Sequence, residues 1–355
     1  MYSELSFMFK INYNLLYFKH MKKTHLILFT FTFILLMSAK AVQAQKKKYL
    51  HDSTYYEMFP DKLTLRLYVG QKITRFQIPS YGSAEDIEYR ANHKVNTGIG
   101  FTWHNYSLSA FYGFSFLNKD NKLRGKTKGL DLQLHLYPHK WAIDVLAVMP
   151  KGMYLHPKGY AASNSSSYYY RADVKERLWG VSAYKVPNKE KFSYRAAINQ
   201  NEWQKKSAGS VLYGGEVYLG IIEGDSALVP KAIQVGFPQA GITEMRYITI
   251  APGIGYAYTA VLGNHFFIMG SLVGNLDVNF TTEEKGTTQN KKTSVGPSAV
   301  YKAAVGYNSS TWGFNFSILG RESLVKAASS TKDYFFPTGA YRIALSKKID
   351  LKKHH

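Results

Sequence analysis

Cysteine is absent from all 355 residues, which excludes disulfides, thiolate nucleophiles and cysteine-ligated metals and leaves stability to hydrogen bonding and burial. Beyond residue 37 no run approaches the roughly 20 apolar residues that a membrane-spanning helix needs. If the chain resides in a membrane it does so through strands, because only helices and closed barrels satisfy the backbone in lipid. Acidic side chains are scarce, 24 against 45 Lys and Arg, for a formal charge of +21. The HExxH zinc motif, the GxSxG nucleophile elbow and the GxGxxG phosphate fingerprint are all missing. Gly253 and Gly255 in APGIGYAY, with no GxGxxG and no helix after them, predict a bend or bulge in a strand rather than a phosphate loop.

What is abundant is aromatic and small: 28 Tyr, 21 Phe and 28 Gly. The one long apolar run, residues 26–37 (LILFTFTFILLM), follows Met21, Lys22 and Lys23 and precedes Val42 and Ala44 at the −3 and −1 positions of a small-residue cleavage site. This layout predicts a secretory signal over 21–44, an upstream start-site extension over 1–20 and a mature chain from Gln45. The mature part keeps 40 basic and 23 acidic residues, a formal +17. Export argues against nucleic acid as the partner of that charge; anionic outer-membrane lipid and lipopolysaccharide phosphate fit better, beside solvated loops.

Period-two alternation dominates the rest. Residues 130–137 place Leu130, Leu132, Leu134 and Leu136 on one face and Asp131, Gln133, His135 and Tyr137 on the other. The same pattern sets Leu63, Leu65, Leu67 and Val69 against Thr64, Arg66 and Tyr68. It recurs over 210–221 (Val211, Tyr213, Val217 outward; Ser210, Glu216 inward), 266–280 (Phe266, Ile268, Leu272, Leu276 against Ser271, Asn275, Asp277), 312–318 and 339–346. Weaker strands read at 95–104, 107–117, 140–150, 174–186, 192–200, 245–260 and 297–307. Short turns at 104–107, 138–140, 261–264 and 308–311 alternate with long polar connections at 79–94, 118–127, 151–172, 281–294 and 321–336, the rim asymmetry of an outer-membrane barrel. An even strand count with both termini on the periplasmic side needs one more strand at 231–237. The expectation is therefore an all-β, antiparallel up-and-down transmembrane barrel of fourteen strands, with twelve as the alternative. It would span 62–349, between a periplasmic segment at 45–61 and a C-terminal tail at 350–355.

The segments DSTYYEMFPDKLTLRLY, GKTKGLDLQLHLY, FSYRAAINQNEWQKKSAGS and GGEVYLGIIEGDSALVP resemble a family of Bacteroidota proteins of unknown function that are thought to be outer-membrane barrels. The resemblance runs over roughly 52–348, with NEWQKKSAGS its most specific stretch. It implies the fold, the outer-membrane location and passage through the barrel-assembly machinery. It assigns no substrate, cofactor or catalytic residue. The closing ALSKKIDLKKHH departs from the aromatic ending of many such barrels.

The inward set predicted for the lumen is Arg66, Asp131, His135, Arg195, Glu216, Asp277, Lys302 and Arg342, with both signs represented. Charges facing a narrow interior must be paired or hydrated, so the set describes either a cross-linked network in which Asp131, His135 and Glu216 meet Arg66, Arg195 or Arg342, or a hydrated channel. Asp131 and His135, with Asp144 on the next strand, are the one arrangement with general-base character. Three functions follow: a structural barrel or passive channel, without enzymatic activity or cofactor; an outer-membrane hydrolase on the Asp131/His135 face; and a surface-binding protein acting through its long loops.

Overall fold

A computed structural model describes residues 51–351 except 83, 94, 104–105, 113–119 and 139; of Tyr106, Leu108, Ala110, Phe111 and Asp131 it describes the backbone alone. The signal segment expected at 21–44 lies outside the described residues.

The second half of the chain is a continuous antiparallel meander. β1 (Tyr56–Met58) is short; β2 (Lys62–Ile78), β3 (Ile87–Ala91), β4 (Val95–Trp103), β5 (Tyr106–Tyr112), β6 (Lys128–Leu136), β7 (Trp141–His156) and β8 (Tyr170–Lys185) follow, then β9 (Glu202–Gln204) and the meander β10 (Ala208–Glu223), β11 (Glu244–Leu262), β12 (Phe266–Lys285), β13 (Thr288–Asn308), β14 (Trp312–Lys326) and β15 (Asp333–Asp350). Two four-residue helices interrupt them, α1 (Asn121–Arg124) and α2 (Tyr194–Ala197). β15 returns to β2, with Leu345 opposite Leu67 and Ser346 opposite Arg66, and closes the sheet.

The closed circuit has ten strands: β2, β3, β7, β8 and β10 to β15. β4, β5 and β6 are additional. At the rim far from the termini β3 bridges β2 and β7, with Ile87 opposite Ile78 and Glu88 opposite His156. Nearer the termini, β4 takes over the edge of β2, β5 pairs with β4, and β6 pairs with β7. The wall divides at a fixed point. The Asn92 backbone N–H donates to Thr127 Oγ1 at 2.7 Å and its side chain to the Gly125 carbonyl at 2.7 Å. Gly152 lies in the bulge where β7 shifts register against β8. Its φ is +86°, and a Cβ there would stand 2.6 Å from the Tyr170 hydroxyl and 2.7 Å from the Lys126 carbonyl, so no other residue fits.

The ten-strand circuit corrects the expected fourteen, and two elements account for the miscount. Residues 231–237 contain a 3-10 turn, Lys231–Ile233, and no strand; Pro230 and Pro238 flank it and cannot donate to a ladder. Residues 192–200 hold α2, capped by Ser193, whose side chain accepts from the Ala196 N–H at 3.1 Å. Conversely, 281–294 and 321–336 are mostly strand: β12 and β13 meet at a turn over 286–287 and run 20 and 21 residues. Their outer ends are polar on both faces, so the hydrophobic alternation stops while the ladder continues. Gly253 and Gly255 lie in β11 with constant register on both sides rather than in a bulge.

The expected faces hold. Leu65, Leu67, Val69, Leu130, Leu132, Val211, Val217, Ile268, Leu272, Leu276, Ile343 and Leu345 point outward and are exposed. Trp103, Trp141, Phe266 and Trp312, also exposed, sit at strand ends on the rim that holds the termini. From Phe266 to Phe280 the outward band of β12 spans roughly 35 Å along the axis at a tilt of about 40°. This lies between the hydrocarbon and the full thickness of a bilayer, about 30 and 40–45 Å.

Two apolar clusters occupy the interior among the described residues. An apolar cluster near the far rim joins Phe76, Tyr89, Tyr247 and Phe336 of the wall to Leu228, Val229, Phe237 and Ile242 of the β10–β11 connection, which folds inward. A second cluster near the termini packs Phe192, Tyr194, Ala197 and Ile198 against Tyr137, Tyr184, Leu212 and Phe267.

Candidate functional site

The terminus-side plug, residues 187–206, carries the specific NEWQKK stretch. All four residues of α2 are buried. A helix this short leaves its last carbonyls without intrahelical donors, and the wall supplies them. Asn308 Nδ2 donates to the carbonyls of Ala196 and Glu202, each at 2.8 Å, and Asn315 Nδ2 to that of Ala197 at 2.7 Å. Arg66 Nη1 donates to the Asn199 carbonyl at 2.6 Å. Lys348 Nζ holds Asn308 Oδ1 at 2.8 Å. The Tyr194 hydroxyl bonds Ser271 Oγ, and β9 pairs antiparallel with β1, Trp203 opposite Glu57. Inside the plug Glu202 accepts from Ser193 Oγ and faces Arg195 at 3.4 Å and Lys189 at 3.7 Å. Burial by itself would raise the Glu202 pKa; Lys189, Arg195 and Ser193 outweigh it and hold the carboxyl below its ordinary value.

Between this plug and the apolar cluster at the far rim lies a belt of ion pairs. Arg321 is clamped by Glu216 at 2.8 Å and Asp277 at 3.2 Å, with its guanidinium 4.1 Å from the Tyr218 ring centroid. Asp277 also accepts from Ser298 at 2.5 Å and Ser323 at 2.8 Å. Around the barrel, Asp144 meets His135 Nδ1 at 2.6 Å and Lys302 Nζ at 2.6 Å. Lys302 lies over the stacked rings of Tyr137 and Tyr194. Arg342 contacts Gln133 Oε1 at 2.5 Å and His135 Nε2 at 3.3 Å.

The structure thus brings Glu216 and Asp277 together, and His135 with Lys302 and Arg342. The Asp131 side chain lies outside the described residues. Arg66 serves a backbone carbonyl and Ser107 Oγ rather than a carboxylate. Arg195 belongs to α2 in the plug and not to a wall strand, and Glu216 pairs with Arg321, not with Arg66, Arg195 or Arg342. Arg321 was hidden because its segment reads as a polar loop. Asn315 falls on the inward side of the alternation over 312–318, but its partner and that of Asn308 are fixed by a helix 118 and 112 residues away in the chain, and Glu202 sits in the plug beyond any strand pattern.

A cavity of about 40 Å³ lies beside this belt, lined by Ser107 and Ser109 of β5, Gln133 and His135 of β6, Asn199 of the plug, and Asn315 and Arg342 of the facing wall, among others. A water needs some 10–15 Å³ of such space, so it holds a few waters or one small group. Among the described residues no group of three or more metal-ligating side chains occurs.

The sequence pattern of the family described as "Domain of unknown function (DUF4421)" matches residues 51–343. The chain belongs to that family. No curated protein matches. Among solved structures it is similar to the outer-membrane-expressed OmpT of Vibrio cholerae, at 9% identity and a TM-score of 0.27 over 82% of this chain and 99% of that one. It is also similar to the toluene transporter TodX of P. putida, at 8% and 0.19 over 83% and 92%. An anion-selective porin from Comamonas acidovorans gives 8% and 0.16 over 81% and 99%. At TM-scores this low the likeness adds nothing to what the strand register shows directly.

Proposed function

We propose that this DUF4421 protein is an outer-membrane barrel with an occluded lumen, and neither an open passive channel nor a hydrolase. The exposed apolar belt with its aromatic rim supports a bilayer around the barrel; the termini, with the turns at 263–265 and 309–311, then lie at the periplasmic rim. The observation that carries occlusion is the seating of α2, whose Ala196 and Ala197 carbonyls are bonded by Asn308 and Asn315, with the Asn199 carbonyl just beyond it bonded by Arg66, from three different strands. The Arg321 and Lys302 ion pairs cross-link the wall above it.

The hydrolase alternative requires His135 Nε2 to accept a proton from a nucleophile. Here that nitrogen faces the Arg342 guanidinium, and Ser107 is engaged by Arg66 and Thr102. The His135–Asp144–Lys302 group is better suited to hold β6, β7 and β13 together. Flotation with liposomes tests the membrane assignment, and p-nitrophenyl ester hydrolysis tests the absence of catalysis. Protein that stays in the aqueous fraction, or hydrolysis lost in His135→Ala at unchanged folding, would contradict the reading.

A further inference from the structure

One row of outward side chains crosses six strands in unbroken register. Lys128 of β6 stands opposite Lys151 of β7, and Lys151 opposite Lys175 of β8. Lys175 stands opposite Glu223 of β10, Glu223 opposite Glu244 of β11, and Glu244 opposite Glu284 of β12. Like charges directly opposite across a sheet repel, and this row sets three lysines side by side and then three glutamates. The acidic half is compensated. Lys175 and Arg177 reach Glu223 at 2.5 and 2.6 Å, and Arg246 bridges Glu244 and Glu284, the latter at 2.7 Å. The basic half is not. Lys128 and Lys151 are exposed and form no ion pair among the described residues. The neighbouring acids are engaged elsewhere, Asp173 by Arg171 at 2.6 Å and Asp120 by Arg124 at 2.9 Å. Asp131, described in its backbone alone, is three positions from Lys128 and so on the opposite, inward face. Lys128, Lys151, Lys175 and Arg177 thus stand around one carboxylate, Glu223, four positive charges against one negative.

These cations stand at the edge of apolar surface. Leu130 and Leu132, both exposed, continue β6 on the face of Lys128, with Met149 opposite Leu130. Lys151 is ten residues from Trp141 at the terminus-side rim, roughly 25 Å along the axis at a tilt of about 40°, which is the height of the apolar band of an outer-membrane barrel.

We propose that Lys128, Lys151 and Lys175 bind the headgroup of a lipid that carries a phosphomonoester, in the leaflet remote from the termini, with its acyl chains against Leu130 and Leu132. Directly opposed side chains stand about 5 Å apart at Cβ. A phosphomonoester brings close to two negative charges and three acceptor oxygens, one for each ammonium. A zwitterionic headgroup brings no net charge to offset the excess, and a free anion leaves the apolar surface beneath the lysines unused. This inference rests on the membrane assignment.

The test uses the full chain in phosphatidylcholine nanodiscs titrated with pyrene-labelled phosphatidic acid, binding being read as tryptophan-to-pyrene energy transfer. Expected are saturable transfer, competition by unlabelled phosphatidic acid, competition about tenfold weaker by phosphatidylglycerol, whose phosphate is a singly charged diester, and none by inorganic phosphate at equal concentration. Lys128→Gln combined with Lys151→Gln should weaken binding about tenfold. Lys151→Glu, which gains both neighbouring lysines as partners and so keeps the fold, should abolish saturable transfer. Lys285→Gln combined with Lys291→Gln removes the same charge from exposed positions of β12 and β13 and should leave binding unchanged. An equal loss in that control would make the effect one of net charge and overturn the proposal. So would equal competition by phosphatidylglycerol, displacement by inorganic phosphate, or unchanged binding in both site variants. Protein that enters discs but shows no saturable transfer would overturn this inference alone, whereas protein that does not enter discs would overturn the membrane assignment with it.

Discussion

The two halves of the wall are built to different rules. From β10 to β15 each strand pairs with its sequence neighbour over 11 to 20 registered positions. From β2 to β8 the chain divides: one descending path is cut into β3 and β4, a β5–β6 excursion is inserted, and β2 changes partner along its length. Long local ladders are self-consistent, since each added pair extends an existing register. The divided half depends on particular residues, Asn92, Thr127 and Gly152 among them, and it forms one side of the cavity. The regular half supplies rigidity, and the cavity lies where the divided half faces β14, β15 and the plug.

The largest effect should come from the charge clamp anchored in the regular half. Arg321→Met leaves Glu216 and Asp277 buried without their shared cation and should destabilise the barrel by about 3–5 kcal/mol. The reverse removal, Glu216→Ala, should fall in the same range. Urea titration of the folded form on semi-native gels reads both. A loss below about 1 kcal/mol would mean that the lumen is hydrated rather than cross-linked.

Next, Leu272→Arg in β12 and Leu132→Arg in β6 both place a charge on the outward face that the proposed function sets in lipid. Each should cost roughly 2–4 kcal/mol near the bilayer midplane, while Gln133→Arg, facing inward, should cost much less. Equal costs at Leu132 and Gln133 would contradict the assigned faces of the divided half.

Asn308→Ala removes donors from two plug carbonyls and should cost about 1–3 kcal/mol. Hydrogen exchange should show the loss concentrated in residues 193–204, with β12 and β13 protected as before. Spreading of the effect through the meander would break the separation of plug from wall.

The smallest effect concerns acid. The folded pKa of Glu202 is held below its unfolded value, so its contribution is present above the usual carboxylate range and is lost as pH falls through the lowered folded value. Glu202→Gln should therefore lower stability at neutral pH and flatten the acid limb below about pH 4. A parallel shift of the whole pH profile would show that Lys189 and Arg195 do not act on this carboxyl.

The barrel class and the outward faces were legible because the outward apolar band imposes strict period two on β2, β6, β12, β14 and β15. Strand ends beyond that band were not, as Lys285 and Thr288 show: with polar residues on both faces, nothing marks a strand except its ladder. The plug was illegible for a different reason. FSYRAAINQNEW is polar and apolar by turns, as a half-buried strand would be, and only the capping of α2 by Ser193 and the distant donors Asn308 and Asn315 decide against that. Of the candidate site, His135, Glu216, Asp277, Lys302 and Arg342 could be read as inward from parity alone. Their partners Arg321 and Gln133 depend on how the sheet closes.

The central claim is that the lumen is shut by a plug held by its own wall. Planar-bilayer recording of the purified protein tests it most directly. The account predicts no steady conductance for the native chain and stepwise ionic conductance when Asn308→Ala, Asn315→Ala and Arg66→Gln are combined to release α2. Steady, ohmic, porin-like conductance of the native protein, unaltered by those three substitutions, would contradict it.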